Sequence, residues 1–290
     1  MVSTPMAVGG PAPTELAVPG PGGRTLTARV TRPVPGVAPD RRCAVIQIHG
    51  GGWALGAPAM LARRSAELAN HGFTAVAVEY RLTGEAPWPA QLHDVKRAIR
   101  HVRANAASLG VDPDRIVLQG HSAGGHLALM AAGTADDPAW DPPAAEAGPQ
   151  DGVSGVSSAV AAVVAFYPPT DLRTSPSAGR LLGEGHDPAV AAAASPVTHV
   201  GPGFPPTLLL HGLDDAMVPP SSSQAMHDAL LAAGVPAELH LYAGQIHEFD
   251  AGATLCALTQ HAAAVFVDRH LLDAERYDAE QAAENPLWSR

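Results

Sequence analysis

A mostly parallel, twisted α/β sheet with helices on both faces is the fold class that this sequence predicts. Three observations carry it. Strand-like and helix-like segments alternate from residue 24 to residue 272, the pattern of βαβ units. Several of the strand segments, such as those in "CAVIQIHG" and "PPTLLLHG", are continuous apolar runs, as expected of strands covered on both faces. Two long excursions, 136–155 and 173–204, interrupt the rhythm. In such sheets, excursions beyond the C-terminal strand ends are where binding sites are shaped.

The elements follow in order. Residues 1–23 are rich in Pro and Gly and read as a flexible N-terminal arm or an irregular edge. "RTLTARVTR" and "CAVIQIHG" have β-branched strand character. "AMLARRSAELANHG" is helical and stops at Gly72, ahead of the strand "FTAVAVEY". "PAQLHDVKRAIRHVRANAASLG" is an amphipathic helix opening on Pro89 and closing before Gly110, the favoured residues at those two ends. Strand "RIVLQG", helix "AGGHLALMAAG" and strand "AVAAVVAFYP" come next. After the second excursion come strand "PPTLLLHG", helix "SSSQAMHDALLAAG", strand "AELHLYA" and helix "TLCALTQHAAAVFVDRHLL". Residues 24–272 therefore form one domain, and the acidic stretch 273–290 is a tail. The Pro/Gly/acid-rich excursion 136–155 is too long for a plain connector and reads as a lid or a disordered loop.

Bulk properties exclude several functions. A net charge of −10 over 290 residues, with no basic block, argues against a nucleic-acid partner. No apolar run approaches the length that spans a bilayer, and the N-terminus has no basic region followed by an apolar one. A cytoplasmic location is the expectation. Cys43 and Cys256 have no metal-like or redox-like neighbours and read as buried thiols. No metal or other cofactor is expected, since the histidines lack ligand spacing. A homodimer is compatible with the sequence.

The chemistry concentrates at strand ends. "GHSAG" places Ser122 between a strand and a helix, the context that gives a G-x-S-x-G match its meaning. A serine hydroxyl attacks a carbonyl only when a base takes its proton and donors hold the resulting oxyanion. "HGGGW" (49–53) follows the strand "AVIQI". The N–H groups of Gly51, Gly52 and Ala123 are candidates to converge on one oxyanion. "LHGLDDAMVPP" ends a strand with two adjacent carboxylates, Asp214 and Asp215, either suited to orient a histidine. "YAGQIHEF" supplies that histidine, His247, after the last strand. Trp53, after the glycines, and His121, before the serine, are expected to face the substrate. His49 and His211 read as braces for their loops.

In these residues the sequence resembles the α/β-hydrolase family, and more narrowly the carboxylesterases of the BD-FAE-like and hormone-sensitive-lipase-like groups. The resemblance runs over about residues 40–272, through "HGGGW", "VEYRLTGEAPWPAQLHDV", "DPDRIVLQGHSAGGHLA", "YPPTDL", "HGLDDAMVP" and "GQIHEF". It implies an α/β-hydrolase fold, with Ser122 as nucleophile, Asp215 and His247 as its partners, and the glycine loop as oxyanion hole. Asp215 is preferred to Asp214 because the family's acid lies four residues before a proline, here Pro219. The chain departs from the family in "YRLTGE", where relatives read "YRLAPE" or "YRLSPE". The implied function is a serine hydrolase cleaving a small-molecule carboxylic ester through an acyl-enzyme. An arylformamidase-type amidase uses the same triad, as do acyl transferases, cyclases and lyases, and sequence does not separate them. A binding protein that has lost the chemistry is disfavoured, because every triad and oxyanion position is filled.

Overall fold

The structure, a computed structural model, describes residues 12–142, 153 and 155–284. Its strands are β1 (Thr14–Pro19), β2 (Thr25–Thr31), β3 (Ala44–Ile48), β4 (Thr74–Val78), β5 (Ile116–His121), β6 (Ala162–Phe166), β7 (Thr207–Gly212) and β8 (Ala237–Tyr242). They form one sheet in the order β1-β2-β4-β3-β5-β6-β7-β8. β1 and β2 are antiparallel to their neighbours, and every pair from β4 to β8 is parallel. The α-helices are α1 (Ala62–Asn70), α2 (Ala90–Ala104), α3 (Ala106–Leu109), α4 (Ala123–Gly133), α5 (Ala178–Leu182), α6 (Pro188–Ala193), α7 (Ser221–Ala232), α8 (Ala253–Val267) and α9 (Ala274–Glu284).

Side chains alternate across the sheet with period two and sort into two apolar layers. Ala44, Ile46 and Ile48 of β3, Ile116 and Leu118 of β5, and Val163 and Ala165 of β6 pack with α2, α4 and α7. Val45, Val117, Val164, Leu208 and Leu210 point the other way, toward Leu68 of α1 and the Ala263–Val267 end of α8. All residues of β3 to β7 are buried, which is why those segments are apolar without a polar face.

Three expectations need correction or refinement. The arm assigned to residues 1–23 contains an ordered strand, since Thr14–Pro19 pairs with β2 and Val18 sits opposite Leu26. Leu16 and Val18 alternate toward the core while Pro19 closes an edge strand, where a missing N–H costs no ladder bond. Residues 1–11 lie outside the described residues. The acidic tail assigned to 273–290 is helical over Ala274–Glu284, and its remainder lies outside the described residues. In the excursion 136–155, the described start folds back on α2. Asp141 there bridges Arg100 at 2.6 Å and Lys96 at 2.9 Å. None of residues 136–142 lines the cavity that holds Ser122, so the lid expected there has no described counterpart; residues 143–152 and 154 lie outside the described residues.

Candidate active site

Ser122 sits between the C-terminus of β5 and the first residue of α4, at φ 54° and ψ −118°. That left-handed backbone is costly for a residue with a side chain and persists only when its surroundings enforce it. The enforcement is visible on both sides. A Cβ on Gly120 would lie 2.1 Å from the Gly124 carbonyl oxygen, and one on Gly124 would lie 2.2 Å from that of Ile48. Only glycine lets β5, α4 and β3 approach so closely. The Ser122 N–H donates to the Phe166 carbonyl at 2.9 Å, fixing the turn to β6.

The histidine and carboxylate come from the two strands beyond. Asp215 follows β7 and is buried; its Oδ1 accepts from the N–H groups of Met217 and Val218, each at 2.9 Å. Its Oδ2 accepts from His247 Nδ1–H at 2.6 Å. On the other side of the ring, His247 Nε2 accepts from the Ser122 hydroxyl at 2.9 Å. Asp214 is exposed, and its backbone N–H is engaged with Gln245 O. The hydrogen-bonded chain Ser122–His247–Asp215 is thus continuous, with each donor and acceptor assigned.

The glycine loop covers the serine from the β3 side. Gly51 has φ +112°, and a Cβ there would meet the Leu55 carbonyl at 2.1 Å. The N–H groups of Gly51 and Gly52 find no acceptor among the described residues. Ala123 opens α4, so its N–H has no intrahelical partner either. Beneath the loop, Tyr80 OH donates to the His49 carbonyl at 3.1 Å and the two rings stack at 4.4 Å. The expected bracing role of His49 is therefore seen as geometry. His211 likewise braces the Asp215 turn, with Nδ1 2.7 Å from Ser223 Oγ and Nε2–H donating to Val218 O at 2.9 Å. Burial holds both imidazoles below their ordinary pKa.

Trp53 and His121 part ways. Trp53 lines the Ser122 cavity, though it is almost wholly buried. Its indole N–H donates to His126 Nδ1 at 3.3 Å, and His126 Nε2–H donates to the Ala194 carbonyl at 2.8 Å. Loop packing and cavity lining are both true of it. His121 does not face the cavity, contrary to the expectation of substrate contact. Counting along β5, Val117 and His121 share the face that turns toward α8. There His121 stacks on Phe166 at 4.4 Å and places Nε2 3.2 Å from Asp250 Oδ2.

Asp250 anchors a second polar cluster under the sheet. It accepts from Tyr167 OH and from Arg64 Nε, both at 2.6 Å. Burial would raise its carboxyl, but His121 and Arg64 outweigh that and hold it well below the usual carboxylate range. Burial keeps the His121 imidazole below its ordinary value and, with Asp250 adding to it, the Tyr167 phenol well above. The Tyr167 ring lies 4.6 Å from that of His247 and backs it from below. Sequence reasoning quoted "YPPTDL" without assigning this tyrosine a place.

The cavity at Ser122 has a volume of about 290 Å³. Leu55 and Met217 give it an exposed apolar rim, and Ser177 and Arg180 bring the excursion 173–204 to its wall. No motif marked Ser177 or Arg180. Their only signal was membership of that excursion.

Residues 34–230 match the BD-FAE family. The chain belongs to that family. Among its relatives is Esterase LipQ of Mycobacterium tuberculosis, 35% identical over 81% of this chain and 57% of LipQ. Probable carboxylic ester hydrolase LipM of the same organism is 33% identical, over 78% of this chain and 55% of LipM. The BD-FAE chain thus spans little more than half the length of these curated relatives. Thermogutta terrifontis esterase 2 superposes with a TM-score of 0.75 at 30% identity, covering 89% of this chain and 94% of that one. It has been solved phosphoramylated by tabun and phosphorylated by paraoxon. The mostly parallel sheet of this BD-FAE chain is that of the α/β-hydrolase fold. No helix among the described residues is long and apolar enough to cross a membrane.

Proposed function

We infer that the protein is a serine carboxylesterase that cleaves a small-molecule ester through an acyl-enzyme. The observation that carries this reading is the unbroken chain from Ser122 Oγ to His247 to Asp215, opening on the cavity of about 290 Å³.

Each atom then has a task. His247 Nε2 takes the Ser122 proton as Oγ bonds to the ester carbonyl carbon, while Nδ1–H stays with Asp215, which stabilises the imidazolium. The carbonyl oxygen becomes an oxyanion and accepts from the Gly51, Gly52 and Ala123 N–H groups; each such donor is worth about 10²–10³ in rate. Collapse of the tetrahedral intermediate breaks the carbon–oxygen bond, and His247 Nε2–H protonates the departing alcohol. A water then enters, gives its proton to His247, and attacks the acyl carbon. The second collapse returns the proton to Ser122 and frees the acid. The buried free thiols Cys43 and Cys256 support placing the domain in a reducing compartment such as the cytoplasm.

The test is twofold. A fluorophosphonate probe is expected to label Ser122 of the folded protein, and Ser122→Ala to abolish both labelling and hydrolysis of short p-nitrophenyl esters. Near-wild-type hydrolysis by that variant overturns the reading. Turnover of N-formylkynurenine exceeding that of every ester in an acyl-length series would move the assignment to the amidase.

A further inference from the structure

Arg180 stands where two cavities meet. It lines the cavity that contains Ser122 and His247. It also lines a second one of about 430 Å³, walled by Pro87, Trp88, Leu181, Leu182 and Val190. Its Nη1 is 3.2 Å from where a Cβ on Gly52 would sit, so the guanidinium lies against the glycine loop itself. It is the one permanent cation among the residues of the first cavity.

The guanidinium makes no hydrogen bond or ion pair with any described residue. Two carboxylates stand in its neighbourhood without pairing with it. Glu248 shares the cavity wall, and Glu184 lies beside Gly179, with Oε1 2.6 Å from where a Cβ there would sit. Exposed arginines away from the site are of both kinds: Arg173 pairs with Asp171 and Arg269 with Glu238, each at 2.7 Å, whereas the Arg42 and Arg63 side chains pair with no described residue. Arg180 differs from these in lining the Ser122 cavity.

An unpaired guanidinium on a site wall has a chemical consequence. In the free protein, water satisfies its five donors. A substrate that fills the cavity displaces that water, and a neutral chain offers nothing in return, leaving donors unpaired at a cost. A carboxylate offers two oxygens in the geometry that matches the guanidinium fork. Resting on the esterase reading above, we propose that the substrate is an ester that also carries a free carboxylate, and that Arg180 is the residue that binds this carboxylate. Glu248, on the same wall, opposes the same anion and sets a ceiling on its affinity. The net negative charge of the protein repels an anion at long range, so the attraction has to come from Arg180 at contact.

The experiment compares kcat/KM for a hemiester and a matched neutral ester, monoethyl adipate and ethyl hexanoate, with ethyl 4-acetoxybutanoate and its free acid placing the carboxylate on the alcohol side. For one of the two pairs, the wild-type ratio of charged to neutral is expected to fall at least about tenfold in Arg180→Gln, chiefly through KM. Arg180→Lys recovers part of it, keeping the charge without the fork. Glu248→Gln raises the ratio, and added salt lowers the wild-type value. A ratio equal in wild type and Arg180→Gln for both pairs overturns the proposal, even if all rates fall together, since that pattern assigns Arg180 to the oxyanion loop. Binding of adipate by isothermal titration calorimetry is a readout independent of turnover: affinity lost in Arg180→Gln supports the site, and no dependence on Arg180 sinks it. If no ester is cleaved, the esterase reading fails separately and the calorimetry still decides.

Discussion

Two histidine–carboxylate pairs flank one turn, one beyond the C-terminal ends of the strands and one just beneath it on the α1/α8 side of the sheet, with Tyr167 touching both. Above, His247 and Asp215 meet at 2.6 Å and the far side of the ring reaches Ser122. Below, His121 lies 3.2 Å from Asp250, sealed among Phe166, Tyr167 and Arg64. The parts are alike, and the surroundings make them different. Asp215 is satisfied by two backbone amides and His247, with His211 Nε2 also 3.3 Å away, and the far nitrogen of the His247 ring opens on the Ser122 hydroxyl. Asp250 is clamped by a cation and a phenol, and its histidine has no nucleophile within reach. A histidine–carboxylate pair is therefore a proton-transfer device only when its second nitrogen opens on a reacting atom. When it does not, it is a structural tie.

The carboxylates give the sharpest contrast. Asp215→Asn keeps the shape but favours the wrong imidazole tautomer, and ester hydrolysis is expected to drop about 10⁴-fold with little change in the urea midpoint. Asp250→Asn removes the buried counter-charge of the part-buried Arg64, so the expected effect is on folding: about 3 kcal/mol lost in urea unfolding. Hydrolysis per folded molecule falls far less than in Asp215→Asn. Equal loss of activity in the two variants would break the distinction and make the lower pair part of the proton path.

Acid acts on the buried imidazoles. Burial holds His126 down to about 4 and keeps His121 below its ordinary value as well. His126 is therefore neutral in the folded protein above about pH 4, but takes up a proton in the unfolded chain below about pH 6.5. Between those limits the unfolded state binds more protons, so stability rises with pH and is lost as pH falls from about 6.5 to 4. For His126 this amounts to about 3 kcal/mol at the acid end. Asp250, held low, contributes stability that is fully present above about pH 4 and so leaves that window clear. Urea midpoints of wild type and His126→Gln at pH 7 and 4.5 check the assignment; an equally steep acid loss in the variant would remove His126 from it.

How much of this was legible beforehand depends on what each residue must avoid. Gly120 and Gly124 could be read because a side chain there collides with backbone, and such collisions leave a spaced glycine pattern. The parallel strands could be read because burial on both faces forbids polar residues. His121 adjoins the serine in sequence, but parity along β5 sends its side chain to the Val117 side of the sheet, away from the cavity. β1 was missed because Pro19 and the surrounding glycines outweighed the short Leu16/Val18 alternation. Asp214 and Asp215 are chemically equal on paper. The family's spacing to Pro219 favours Asp215, and the turn after Gly212, which exposes Asp214 and buries Asp215, supplies the physical reason. Arg180 left no signal, since its position comes from the folding of 173–204 against the glycine loop.

The hydrogen bonds through His126 bear on how such enzymes are re-engineered. Its two ring nitrogens clasp Trp53 of the glycine loop and the backbone of Ala194, so the loop and the excursion 173–204 share one rivet. Transplanting 173–204 from a relative to import a new pocket would therefore be no modular graft. Any replacement that fails to present a carbonyl at the place of Ala194 loosens the glycine loop as it changes the guest, and the donor and recipient segments have to be chosen as a matched pair.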